Sequence, residues 1–175
     1  LRDRLEIQAD SWINGNKKLP NAIHQLLECQ SVKGLIELNK NIRENPKALP
    51  KLLANFLEIE LETVIALQGP PGTGKSSVTA KFIFELIKLN KKIAISSNSN
   101  QAINNLLLKV KNICEEESLN NQIVKATSKK KDQQLTNSGI GLIPAASLTL
   151  NETVIGGTTW VFSREELNNA FDVLV

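Results

Sequence analysis

Apolar residues fall into short groups whose spacing alternates between that of strands and that of helices. Val64-Ile65-Ala66-Leu67 is a continuous apolar run and predicts a buried strand. Val78, Phe82, Ile83, Leu86 and Ile87 then recur at helical spacing over residues 76 to 89, while Lys81, Glu85 and Lys88 share a polar face. That pattern predicts a helix packed on a sheet, and Asn90 is suited to end it. Ile93-Ala94-Ile95 reads as a strand, and Ile103, Leu106, Leu107, Val110 and Ile113 as a second helix running to Glu115-Glu116-Glu117. Ile123-Val124 predicts a strand within a less regular stretch, 115 to 150, which holds a turn at Ser138-Gly139-Ile140-Gly141. Val154 to Phe162 reads as a strand whose glycine pair marks close approach of another backbone or a ligand. Ser163-Arg164-Glu165-Glu166 fits a capping box opening a short helix, and Phe171 to Val175 the start of a buried strand. Strands and helices in alternation predict an α/β fold with a mostly parallel sheet and flanking helices.

The first 60 residues read mostly as helix. Leu19-Pro20-Asn21 opens a short one carrying Ile23, Leu26 and Leu27. Ser31 is the expected N-cap of the next, with Val32, Leu35, Ile36 and Ile42 near one face and Asn45-Pro46 as its break. Pro50 suits a first helical turn, with Leu49, Leu52, Leu53, Phe56 and Leu57 following at helical spacing. No catalytic cluster occurs here. His24 reads as a packing or surface residue, and Trp12, beside Asn14-Gly15-Asn16, as a partly buried aromatic rather than a base-stacking platform. The expected organisation is a helical lead-in over 1–60 and a nucleotide-binding domain over 61–175.

Composition narrows the picture. A length of 175 residues fits about one domain with a real core. No run of about 18 apolar residues is present, so no membrane span is predicted, and no secretory signal is visible. Cys29 and Cys114 form no spaced pair, which argues against a disulfide framework or zinc site and suits a reducing cytoplasm. The net charge of +3 leans toward polyanionic partners. The chain opens on Leu1, lacks methionine and stops inside an apolar run, so it is expected to be a piece of a longer protein.

The candidate chemistry sits between the first predicted strand and helix. Gly69-Pro70-Pro71-Gly72-Thr73-Gly74-Lys75-Ser76 is the phosphate-binding pattern G-x-x-x-x-G-K-[ST], here followed by Ser77. A triphosphate must exchange its water for many aimed donors. Backbone N–H groups supply them where Gly69, Gly72 and Gly74 let the chain curl, and the positive end of the helix starting near Lys75 adds to the field. Lys75 is expected to reach the β- and γ-phosphates and the Ser76 hydroxyl to ligate Mg²⁺, which makes these two the expected catalytic residues. Gly69 to Ser77 as a whole is the expected binding segment for ATP.

A second polar cluster, Ser96-Ser97-Asn98-Ser99-Asn100, falls where a strand ends and a helix starts, the place at which open α/β sheets bind ligands. Either it grips phosphate, or Ser99 or Asn98 simply caps the helix. Lys129-Lys130-Lys131 reads as a solvated loop, with a nucleic-acid backbone contact as the sharper alternative.

Taken together, these motifs resemble the N-terminal RecA-like domain of superfamily 1 DNA and RNA helicases. The likeness is strongest to the Upf/Dna-type branch (superfamily 1B), and in particular to bacterial proteins that join such a helicase to a RecB-like nuclease. Gln68 to Ser76 matches that branch's motif I, Ser96 to Leu106 is similar to motif Ia, and Gly157-Thr158-Thr159 matches its Gly-Thr-Thr strand. Asn98 stands where the family often has Pro, and Asn104 where it has Asp. The resemblance implies an ATP-dependent helicase or translocase using ATP and Mg²⁺ on a single strand, DNA ahead of RNA. It places Ser97, Asn98, Ser99, Asn100, Gly157, Thr158 and Thr159 on that strand. It implies as partners a second RecA-like domain and a RecB-like nuclease domain of the same parent, with no membrane. Phe171 to Val175 would lead into motif II, so the isolated chain is expected to lack useful turnover.

The phosphate loop is also that of AAA+ ATPases, which remodel protein or nucleoprotein complexes. Those usually carry an apolar run ending in Asp-Glu about 50 to 60 residues after the loop, and residues 110 to 145 hold none. A GTPase is disfavoured too: Asn90-Lys91-Lys92 continues with Ile93 and makes no guanine motif.

Overall fold

The computed structural model describes Asn14 and residues 34–59, 63–128 and 132–175. Two compact units divide the chain, Leu1–Thr73 and Gly74–Val175. Expectations for Trp12, His24, the helix at Ile23 to Leu27, Ser31 and Lys129 to Lys131 lie outside the described residues.

In the first unit, α1 spans Leu35–Glu44, a 3₁₀ turn covers Pro46–Ala48, and α2 spans Leu49–Ile59. The break at Asn45-Pro46 falls as expected. α1 starts behind Gly34, whose φ of 76° is left-handed. A side chain there would also press on the Phe56 ring at 3.2 Å. The buried residue of α1 is Leu38, while Ile36 is 88% exposed, so Ile36 does not belong to the apolar face. Leu53 and Ala54 are buried on α2.

Val64 to Leu67 forms no strand, contrary to its apolar pattern. Val64 is 42% and Leu67 46% exposed, and no strand ladder includes the segment. A strand is completed by hydrogen bonds to a neighbour, and a short apolar run carries no information about whether one is there.

The second unit is the expected α/β layer structure. α3 spans Lys75–Lys88, β1 Ile93–Ser96, α4 Asn100–Glu116 and β2 Ile123–Ala126. Next come α5 at Gln133–Asn137, β3 at Gly141–Ile143, β4 at Val154–Gly157, α6 at Thr159–Phe162 and β5 at Val173–Leu174. The sheet runs β3-β2-β4-β1-β5 with every pairing parallel. Parallel strands need crossovers, and the helices supply them while covering the sheet. α3 ends as expected, with Asn90 at φ 55° just past its last turn.

One face of the sheet packs under α3 and α4 through Ile83, Leu86, Ile103, Leu107 and Val110, all essentially inaccessible to solvent. The other face gathers Val124, Ala126 and Ile155 beneath Leu148, Val161, Phe162 and Phe171. The Phe162 and Phe171 rings meet edge to face, centroids 5.5 Å apart.

The glycine pair of β4 marks close approach, as its composition suggests, and the neighbours are protein. A Cβ on Gly156 would lie 2.7 Å from Leu107 Cδ1 and 2.8 Å from Ile103 Cγ2; on Gly157 it would lie 3.0 Å from Val161 Cβ. Two expectations nearby need correction. Thr159 to Phe162 turns into a helical turn, which folds Val161 back over Gly157. The Ser163 hydroxyl donates to the Trp160 carbonyl at 3.1 Å, and the short helix that follows is the 3₁₀ turn Glu165–Leu167. The Phe171 to Val175 strand is a two-residue edge with Leu174 67% exposed, because β1 is its one hydrogen-bonded neighbour.

Glu152, buried just before β4, accepts from the Thr149 hydroxyl at 3.1 Å and the Thr149 N–H at 3.4 Å. Burial opposes its ionisation. Bonds from its own backbone N–H, from Thr149 and from Leu150 outweigh burial and hold the carboxyl below its ordinary range.

Two outcomes follow. Gly156→Ala must displace two fully buried side chains, and should lower stability by about 1–3 kcal/mol in urea unfolding. Glu152 is depressed in the fold, so its contribution is present above the unfolded carboxylate pKa and lost as pH falls through the folded one. Glu152→Gln should therefore flatten the loss of stability on acidification across that window, read by unfolding at a series of acidic pH values.

Candidate phosphate site at the strand ends

The loop Gly69 to Ser77 is built from two glycines in left-handed geometry, Gly72 at φ 80° and Gly74 at φ 79°. A Cβ on either would meet no atom within 4 Å, so backbone conformation and not crowding calls for glycine. The Thr73 hydroxyl donates to the Pro70 carbonyl at 2.9 Å and closes the turn at Pro71-Gly72. Ser77 and Val78 return their N–H groups to the Gly74 carbonyl at 2.9 and 3.0 Å, so α3 begins immediately. Its positive end coincides with Lys75 and Ser76, both exposed.

Within the second unit, those two side chains open onto a cleft of about 320 Å³. Thr79 of α3, Ser96 and Ser97 at the end of β1, and Asn105 of α4 supply its other polar groups. Ile95, Leu106 and Val175 form its apolar wall. No carboxylate side chain lines it, so its only charged side chain is the Lys75 ammonium, which suits an anion. Ser96 Oγ is buried in the wall without a hydrogen-bond partner, and a buried hydroxyl in that state is a donor available to whatever the cleft takes up. A larger concavity of about 530 Å³ flanks α1 along Asn39, Lys40 and Arg43, but it runs along a single helix and gathers no convergent chemistry.

The Ser/Asn cluster divides. Ser99 caps α4, its hydroxyl accepting from the Ala102 N–H at 3.3 Å, and Ser97 Oγ accepts from the Ser99 N–H at 3.2 Å. The capping alternative thus holds for Ser99. Ser97 also lines the cleft; Asn98, Ser99 and Asn100 do not, and are exposed. Register brings the Gly-Thr-Thr segment beside them, since Ser96 pairs with Gly157. Gly157 is buried beneath Val161, Thr158 is half-buried, and Thr159 is exposed on the same rim of strand ends.

Several polar residues escaped sequence reasoning. Lys109 of α4 donates to Ser77 Oγ at 3.1 Å and holds a second cation beside the first turn of α3. Lys125, buried on β2, donates to Asn104 Oδ1 at 2.6 Å, and Asn104 Nδ2 donates to Asp132 Oδ2 at 2.8 Å. Asn104, which departs from the family pattern, therefore serves both a buried ammonium and the residue that opens α5. Nothing in periodicity signals these contacts, because each joins elements far apart in sequence. Cys114 is buried, and burial pushes its thiol up despite the opposing Lys111 charge, so it is no nucleophile.

Among the described residues no group of three His, Cys, Asp or Glu could hold a metal ion. Mg²⁺ commonly reaches such sites on substrate phosphates and keeps much of its water, and a single hydroxyl such as Ser76 is compatible with that. Among those residues, too, no helix is long and apolar enough to cross a membrane.

A family model described as AAA domain (AAA_11), the domain of Upf-type superfamily 1 helicases, matches residues 50–142, more than half of the chain. No curated protein and no solved structure matches it.

Truncating Asn104 to Ala would strip buried Lys125 and half-buried Asp132 of a partner at once. The variant should lose about 1–3 kcal/mol, read as a lower urea midpoint, whereas a surface control such as Asn112→Ala stays near wild type.

Proposed function

Since the chain belongs to the AAA_11 family, a nucleotide-binding ATPase domain of the helicase type, we propose that it is the ATP-binding part of a helicase or translocase that moves on single-stranded nucleic acid. The observation that carries the reading is the cleft that unites Lys75 and Ser76 with the polar end of β1. Gly69, Gly72, Thr73 and Gly74 supply backbone N–H donors to the phosphates, while Pro70 and Pro71, which have no N–H, hold the turn that aims them. Lys75 neutralises the β- and γ-phosphates, Ser76 ligates the Mg²⁺ carried by the nucleotide, and Ser77 follows on the helix. Lys75 and Ser76 are the catalytic pair in this reading. The bound ion would shield phosphate charge; this chain's residues hold and orient the nucleotide.

The strand-end rim, with Ser97, Asn98, Ser99, Asn100, Thr158 and Thr159, is the proposed contact for the single strand, and Gly157, buried beneath Val161, supports it from below. Backbone N–H groups and small hydroxyls grip sugar and phosphate without reading sequence. DNA is the preferred strand in this proposal, and the cytoplasm its setting. A second RecA-like domain and a RecB-like nuclease are proposed as parts of the parent protein, and turnover belongs to that parent.

The test is steady-state ATP hydrolysis by the longer protein carrying this domain, with and without single-stranded DNA or RNA. Turnover should rise several-fold with a single strand and fall by at least about 100-fold in Lys75→Ala, in line with loss of an electrostatic clamp on the transferred phosphoryl group. Lys75-dependent turnover indifferent to either strand would refute the translocase reading and favour a remodelling ATPase.

A further inference from the structure

The short helix α6 is fastened on one side and open on the other. Val161 lies over Gly157, and Val161 and Phe162 pack against the Val124, Ala126 and Ile155 core. Between Thr159 and these anchors, Trp160 points away and is 64% exposed. Among the described residues of the second unit, only Trp160 and Leu174 are large apolar side chains left so open. Leu174 is an edge-strand residue. Trp160 is an indole held on a backbone whose neighbours are locked, and the Ser163 hydroxyl on its own carbonyl, at 3.1 Å, ties the turn further.

Its position is defined by topology. β4 lies between β2 and β1, and all three run parallel, so the chain leaves each at the same rim. Trp160 follows β4 there, two residues after Thr158 and three after Gly157, the register partner of Ser96. The rim thus carries a π-face on the same short segment as the Thr158 and Thr159 hydroxyls. A protein-docking surface would combine several exposed apolar side chains. A base-stacking site needs one aromatic face beside uncharged donors and a positively charged carrier, and the chain's net charge is +3.

We propose that Trp160 stacks on a base of the bound single strand, supplying an affinity term separate from the phosphate grip. The proposal rests on the single-strand reading above and adds to it a contact with a base instead of the backbone. Stacking of this kind tolerates any sequence, because every base has a π-face.

The test uses the 175-residue chain and a fluorescein-labelled oligothymidylate, read by anisotropy over a range of salt. Trp160→Ala should weaken binding by about 5- to 150-fold, the loss that accompanies removal of one stacked base. The slope of log affinity against log salt should stay unchanged, because no phosphate contact is removed. Trp160→Phe should keep much of the affinity. Trp160→Leu, apolar but without a π-face, should behave like Ala. In Trp12→Phe, where Trp160 is the sole tryptophan, indole fluorescence should quench and saturate with the oligonucleotide. Wild-type affinity in Trp160→Leu or Trp160→Ala overturns the stacking role and leaves the single-strand reading standing. Loss of the salt slope in Trp160→Ala overturns it as well, by making the residue part of the phosphate grip. Absence of binding by the unaltered chain at low salt overturns both readings together. A sedimentation shift to monomer in Trp160→Ala, with oligonucleotide affinity unchanged, would assign the indole to a contact between copies instead.

Discussion

The second unit depends on how closely α4 approaches β4. Ile103 and Leu107 rest where a side chain on Gly156 would be, with less than 3 Å to spare for even a Cβ. That contact sets the height of α4 above the sheet. It leaves the first turn of α4 level with the strand ends, so Ser96, Ser97, Ala102 and Asn105 face the start of α3 across one cleft. A larger residue at 156 would lift the helix, and the polar wall of the cleft would move with it.

Parallel pairing does the rest of the positioning. Every strand in the sheet leaves its C-terminal end on one rim, and after β1 and β4 a helix N-terminus follows within a few residues. Residues about sixty positions apart, Ser96 and Gly157, become register partners. The rim therefore collects hydroxyls, amides, Lys75 and Trp160 from separate segments, while the opposite ends of the strands carry Lys92, Glu152 and Asp172 in structural bonds. Charge is arranged accordingly: the carboxylates Glu152 and Asp172 tie loops together at the far end, and no Asp or Glu side chain lines the cleft.

The errors of the sequence reading share a cause. Val64 to Leu67 and Thr159 to Phe162 are both apolar runs of strand-like composition. One finds no strand partner and the other curls to place Val161 over a glycine. α5 and β3, five and three residues long, are too short for any periodicity to show. The Lys125, Asn104 and Asp132 chain was equally invisible, because a lysine in a strand reads as a surface residue until a helix is laid over it.

What sequence alone determined is local: the glycines, lysine and serine of the phosphate loop, the two long amphipathic helices, the Ser99 cap region and the strands that follow each helix. These follow from backbone freedom, helical period and side-chain hydrogen bonding within a few residues, all of which are written in adjacent positions. Tertiary structure alone decided which polar groups share the cleft, that the glycine pair admits α4 at Gly156 and Val161 at Gly157, and that Trp160 faces outward while Val161 and Phe162 pack on the core. Those outcomes depend on distances between segments far apart in the chain, and distance in space is set by packing, which no single stretch of sequence carries.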